Sequence, residues 1–250
     1  MLGSAILYAG LLVSAVGLLS VLKPLAWMGI SSRAVAAAVL AAGVLIAIVG
    51  LILPAAESRV SRPTTRLDEF MPAWQFNERH TVDIAAPPDT VFAALMRVRA
   101  DEITFFRALT WIRRGGRELP AGILNAGADE SLIAVALKGG FVALADDPPR
   151  ELVIGKVVVV PPGTRGELTR DVFKKSLPPG FAIAAMNFLL TPDGNGGTHL
   201  LTETRVSANS PSARRQFAVY WRFIYPGSAI IRRMWLRAVR NRALAAKATG

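Results

Sequence analysis

Two histidines and one charged pair are the residues whose types suit chemistry best. His80 and His199 are the only imidazoles. Neither has a second His three or four residues away, and two are too few for a multi-histidine metal site. Either could act as a general base near neutral pH. Nothing nearby in sequence marks a partner, however, and each sits at the edge of a strand-like segment, so a surface or capping role outweighs a catalytic one. Glu203 and Arg205 are two apart, which on a strand puts both side chains on one side. If that side faces a cavity, the pair orients the polar end of a ligand, as a few convergent polar groups do in mostly apolar pockets. If it faces outward, the pair is solvated and of little energetic weight. The outward reading is the stronger, because Thr202, Thr204 and Val206 on the opposite side suit a covered face equally well.

Other chemistries lack their residues. The chain has no cysteine, which excludes disulfides, Cys-type zinc sites, Fe–S clusters and thiol catalysis. No Gly-x-Ser-x-Gly occurs, so the nucleophile turn of a serine hydrolase is missing. The glycine-rich stretch Asp193 to Gly197 joins two strand candidates instead of opening a helix, unlike a phosphate loop. No catalytic residue, metal or cofactor is therefore assigned.

The elements that would position these residues fall into two parts. Of 250 residues, 52% are hydrophobic and 19% charged, too apolar for disorder and too charged for a wholly membrane-embedded chain. Residues 1–56 carry only Lys23 and Arg33, whereas residues 210–250 carry nine basic and no acidic side chains. Met1 to Leu22 and Ala34 to Ala56 are uncharged and near the length of about 20 residues that spans a bilayer, so residues 1–56 read as a transmembrane hairpin. No Lys or Arg precedes Lys23, against a cleaved signal peptide. Arg59, Arg62 and Arg66 after the second run outnumber Lys23 and Arg33 in the link and place the soluble part in the cytoplasm. Gly10, Gly17, Gly43 and Gly50 could bring the two helices close, although ordinary membrane-helix glycine content explains them more simply.

Residues 57–78 read as a tether with a short helix at Thr65 to Phe70, and residues 79–250 as a folded domain. A strand at Thr81 to Ala85 hands over to a helix containing Val91, Phe92, Leu95 and Val98, and Glu102 to Arg113 reads as another. Strand candidates follow at Ser131 to Leu137, Gly140 to Ala145, Glu151 to Val160, Phe181 to Leu190 and Thr198 to Ala208, with a lid candidate between Pro161 and Gly180. Ser210-Pro211 starts a terminal helix with an aromatic stripe, Phe217, Tyr220, Trp221 and Ile224, which Pro226-Gly227 should bend or break. The predicted class is α+β: a curved antiparallel sheet around a long C-terminal helix, covered at the Trp221 stretch.

That order is the helix-grip arrangement, and Val82-Asp83-Ile84-Ala85-Ala86-Pro87-Pro88-Asp89-Thr90-Val91-Phe92-Ala93-Ala94-Leu95 resembles the first strand and helix of the START-like superfamily, which includes polyketide cyclases and lipid-transfer domains. Asp68 to Pro72 with Phe76 to His80, Thr202 to Val206, and Phe217 to Arg222 with Pro226 to Ser228 and Ile231 to Arg233 resemble a bacterial START-like subgroup with no assigned ligand. The resemblance implies a cavity for a lipid, sterol, polyketide or other apolar molecule, and in many members no chemistry at all. The expected function is binding of a hydrophobic small molecule by a protein anchored in the inner membrane. Glu203, Arg205, Phe217, Trp221 and Ile224 are the candidate ligand-binding set. The basic Arg232, Arg233, Arg237 and Arg240 are expected at the anionic bilayer surface, and nucleic acid is not expected as a partner because no nucleic-acid motif accompanies the charge. The alternatives are a cyclase- or hydratase-like enzyme using Glu203, Arg205 and His80, and a membrane scaffold whose cavity is filled by its own side chains.

Overall fold

The computed structural model describes residues 2–117, 122–127, 130–164 and 169–249. By contacts it forms two units, residues 1–56 with Arg215–Tyr225, and residues 57–214 with 226–250.

In the first unit, helices α1 (Leu2–Leu22) and α2 (Arg33–Ile52) form the hairpin. Ser32 caps α2 by accepting a hydrogen bond from the Val35 N–H at 3.2 Å. Both helices are long and apolar enough to cross a bilayer. Most of their large side chains are exposed, Leu12 to 69% and Leu22 to 74%, which is the reverse of a core helix. The glycines are at the seam. A Cβ on Gly10 would lie 2.3 Å from the Ala47 nitrogen, and one on Gly17 would lie 2.4 Å from the Leu40 nitrogen. The backbones touch at these positions, so the close-approach reading replaces the compositional one. The Ser14 and Ser20 hydroxyls donate to the Gly10 and Val16 carbonyls within α1, so neither hydroxyl is left bare on the apolar surface.

The second unit is α+β. A two-stranded ribbon, β1 (Ser58–Arg59) with β2 (Ala73–Trp74), flanks the short helix α3 (Arg66–Phe70). A five-stranded antiparallel sheet follows, from β3 (Phe76–Ile84), β4 (Val142–Asp147), β5 (Glu151–Val159), β6 (Ala182–Pro192) and β7 (Thr198–Ala208), in the order β3-β7-β6-β5-β4. Helices α4 (Pro88–Arg97), α5 (Phe106–Arg113) and α6 (Leu132–Lys138) lie between β3 and β4, and α7 (Pro211–Thr249) ends the chain. The β6–β7 turn is held by Asp193, whose Oδ1 accepts from the Asn195 and Gly197 N–H groups at 2.7 and 2.8 Å, with Gly194 and Gly196 at φ of 82° and 79°.

Three local expectations change. Ser131 to Leu137 is a helix, because the Ser131 hydroxyl caps the Ala134 N–H at 3.2 Å and Leu132, Ile133, Val135 and Ala136 bury together; a short apolar run does not distinguish strand from helix. The first sheet strand starts at Phe76, inside the expected tether. Helix α7 continues through Pro226. The described part of the lid candidate includes a 3-10 turn at Arg170–Phe173 whose Phe173 is buried beside Leu144 and Val153; residues 165–168 of that candidate lie outside the described residues.

The terminal helix covers the sheet with a different stretch from the one expected. Trp235, Leu236, Val239 and Ala243 pack against Ile84, Ile154, Phe188 and Leu200, with the Phe188 and Trp235 rings edge to face at 5.0 Å. Burying such an aromatic contributes about 1.5 to 3 kcal/mol. The aromatic stripe around Trp221 belongs instead to the hairpin unit, where Tyr8 donates to the Phe223 carbonyl at 2.9 Å and Arg222 donates to the Leu53 carbonyl. Both stretches carry apolar stripes at helical spacing, so periodicity alone does not say which of them meets the sheet.

Candidate functional site

Strand register sorts the polar residues of the second unit onto two faces. Glu78 pairs with Thr204, His80 with Thr202 and Ile84 with Thr198. Ile84 faces the helix, so by alternation Glu78, His80 and Val82 face it too. Glu203 and Arg205 fall on the opposite, outer face.

On the outer face Arg205 is the centre of a buried network. Its Nε and Nη2 donate to the two Glu203 carboxylate oxygens at 2.8 and 3.3 Å. Its Nη1 donates to Asp68 Oδ1 at 2.7 Å and to the Met71 carbonyl at 3.1 Å, and its guanidinium lies 4.0 Å from the Trp74 ring centroid. Asp68 is also the return partner of the Thr65 capping box, and its Oδ2 accepts from the Thr64 and Thr65 N–H groups at 2.9 and 3.0 Å. A second acid, Glu151, accepts from the Arg66 and Leu67 N–H groups at 2.7 and 3.2 Å and from Asn187 at 2.7 Å. Two carboxylates thus hold the start of α3 against the sheet. Burial raises the Asp68 pKa, but the Thr64 N–H, Arg205 and the Thr65 N–H outweigh it and bring it down to about 2. The solvated reading of Glu203 and Arg205 is therefore corrected: the pair faces away from the helix, as the outward reading has it, but it is buried and bonded to Asp68 of α3.

On the helix-facing side lies a different group. Glu78, 2% exposed, takes His80 Nε2 on Oε1 at 2.8 Å and the Ser228 hydroxyl on Oε2 at 2.7 Å. His80 is an inward residue in mid-strand, not a surface one. His199 is the surface histidine, with Nδ1 2.7 Å from exposed Asp83 across the strand pair. Half-buried Arg232 contacts the Met186 sulfur and lies 5.5 Å from the Trp235 ring centroid. It forms no ion pair among the described residues. Burial pushes its guanidinium down to about 10, with Glu78 opposing and Arg113 reinforcing, so it keeps its proton at neutral pH. Trp235, 1% exposed, has an indole N–H with no acceptor among the described residues. Two hydrogen-bond donors short of acceptors thus sit one helical turn apart on the sheet-facing side of α7, with Arg232 within electrostatic reach of Glu78.

The expected set is not brought together. Glu203 and Arg205 are on the outer face of the second unit, and Phe217, Trp221 and Ile224 are in the first. Of the basic set, Arg233, Arg237 and Arg240 are exposed, one side of α7, while Arg232 turns inward, since positions 232, 235, 236 and 239 form the sheet-facing side. Glu78, Ser228 and Trp235 were missed. The alternation of Phe76, Glu78, His80, Val82 and Ile84 would have found Glu78 had the strand been started at Phe76.

Among the described residues no group of three or more His, Asp or Glu side chains could hold a metal ion. A scan of protein-family models finds no match, and a search of curated proteins finds none. Among solved structures, the chain is similar to the crystal structure of TTHA0849 from Thermus thermophilus, at 14% identity over 68% of this chain and 99% of that one, with a TM-score of 0.28. It is also similar to that of CalU16 from Micromonospora echinospora, at 20% identity over 77% of this chain and 94% of that one, with a TM-score of 0.26. Both TM-scores lie well below 0.5, so the fold assignment rests on strand order and packing in this chain alone.

Proposed function

We propose that this is a membrane-anchored, START-like protein that binds a lipid or other hydrophobic small molecule between the sheet and the Trp235 stretch of α7, without chemistry. The single observation that carries the reading is the Trp235 N–H, buried and unpartnered among the described residues, beside an inward-facing Arg232 in apolar surroundings. Such donors cost free energy when left unmet, and a ligand's polar end meets them. The hairpin anchors the protein in the inner membrane with the folded domain on the cytoplasmic side. Arg233, Arg237 and Arg240 contribute attraction to anionic headgroups of about 1 kcal/mol each close to the surface.

The test is extraction of the purified full chain from several lipid backgrounds, with mass spectrometry of what is released. Near-stoichiometric recovery of one class of amphiphile supports the reading; recovery of none in any background ends it. A second reading, acid–base chemistry of the cyclase or hydratase kind, is favoured by the Glu78–His80 pair. Conversion of the recovered molecule by the wild type, and not by His80→Gln, would move the assignment to it.

A further inference from the structure

The outer face of the sheet holds a cavity of about 450 Å3 that the ligand-binding reading does not use. Arg59, Arg62 and Arg79 line it together with Ser61, the Trp74 ring and Leu201. The acids in its lining are already engaged: Asp68 and Glu203 both bind Arg205, at 2.7 and 2.8 Å. Arg59 pairs with Glu57 at 3.2 Å. Exposed Arg62 and Arg79 form no ion pair among the described residues. Arg79 stands directly across from Glu203 in the β3–β7 register, so its side chain is on the cavity's face. Two uncompensated guanidiniums therefore share one cavity whose carboxylates are spent. Guanidinium matches tetrahedral oxyanions through paired N–H donors, and two of them balance a dianion.

We propose that this cavity binds a phosphate group, with Arg62 and Arg79 as its main ligands and the apolar Trp74 and Leu201 receiving what the phosphate carries. The group can come from a phospholipid headgroup, since Arg59 and Arg62 follow closely on the end of α2, or from a soluble phosphate ester. The proposal is independent of any ligand on the helix-facing side.

The experiment uses the full chain in nanodiscs. In discs of phosphatidylcholine alone, titration calorimetry with inorganic phosphate should give saturable one-to-one binding. The double variant Arg62→Ala/Arg79→Ala should weaken it at least 10-fold, with an unchanged circular dichroism spectrum. The control Arg107→Ala/Arg117→Ala, exposed arginines outside the cavity lining, should leave it unchanged. In discs containing phosphatidic acid, hydrogen exchange at residues 58–65 is the readout. Slowed exchange there, with weaker binding of added phosphate, supports the site with the lipid as its source. Phosphate binding with unchanged exchange supports it with a soluble source. Absence of both, or equal weakening in the control variant, overturns the proposal.

Discussion

Replacing Arg205 with Met strands two buried carboxylates on the outer face of the sheet. Arg205 contacts Glu203 at 2.8 Å and Asp68 at 2.7 Å, and both acids are at most 11% exposed as side chains. Removing one partner of such a group costs about 3 to 5 kcal/mol, because the charge left behind has lost its water and its counter-charge. The effect depends on pH with a definite sign. The folded-state pKa of Asp68 is held at about 2, against an ordinary value of 3.8, a gap worth about 2 kcal/mol. That stabilisation is fully present above about pH 4 and is lost as pH falls through about 2. In Arg205→Met the guanidinium's share of the depression is lost while the Thr64 and Thr65 N–H bonds remain, so protonating Asp68 relieves the variant at a higher pH than the wild type. Urea unfolding of the full chain in detergent micelles, followed by circular dichroism at pH 7 and pH 3, should show a deficit of about 3 to 5 kcal/mol that narrows at the lower pH. A deficit under about 1 kcal/mol at pH 7, or one of equal size at both pH values, would mean that Arg205 does not neutralise the two acids.

Three further perturbations probe other parts of the structure. Gly17→Leu drives a side chain into the Leu40 backbone, and a loss of about 1 to 3 kcal/mol in hairpin stability should appear as a lowered melting temperature in micelles, with Ser14→Ala as the mild comparison. Glu151→Ala leaves the Arg66 and Leu67 N–H groups and Asn187 without their acceptor; a cost of about 2 to 4 kcal/mol in urea unfolding, with faster exchange at residues 66–70, is expected. Gly155→Ala sets a methyl group 2.5 Å from the Phe173 ring, and proteolysis should then cut near Phe173 several-fold faster as that ring is displaced.

Much of the architecture can be read from the sequence, because it follows from hydrophobic period and punctuation. The two apolar runs, the short helix ending at Phe70, the turn at Asp193 and the helix start at Ser210 each carry a local signal strong enough to stand alone. The candidate site was less legible. Glu203 and Arg205 obey a period of two, which places them on one face but does not say which face α7 covers or that α3 covers the other. The Trp221 and Trp235 stretches of α7 have similar patterns, and only tertiary contacts separate a hairpin-packing turn from a sheet-packing one. Within the second unit, parts of the segments singled out by resemblance meet: Asp68 bonds Arg205, and Glu78 bonds Ser228.

On the proposed function, the Arg232 and Trp235 donors under α7 receive a guest molecule. Native mass spectrometry of the full chain, wild type against Trp235→Phe/Arg232→Met, tests it most directly. One bound amphiphile per wild-type chain is expected, with an occupancy at least 10-fold lower in the variant and the fold retained. A wild type that arrives empty from every lipid background, or a variant equally loaded, would contradict it.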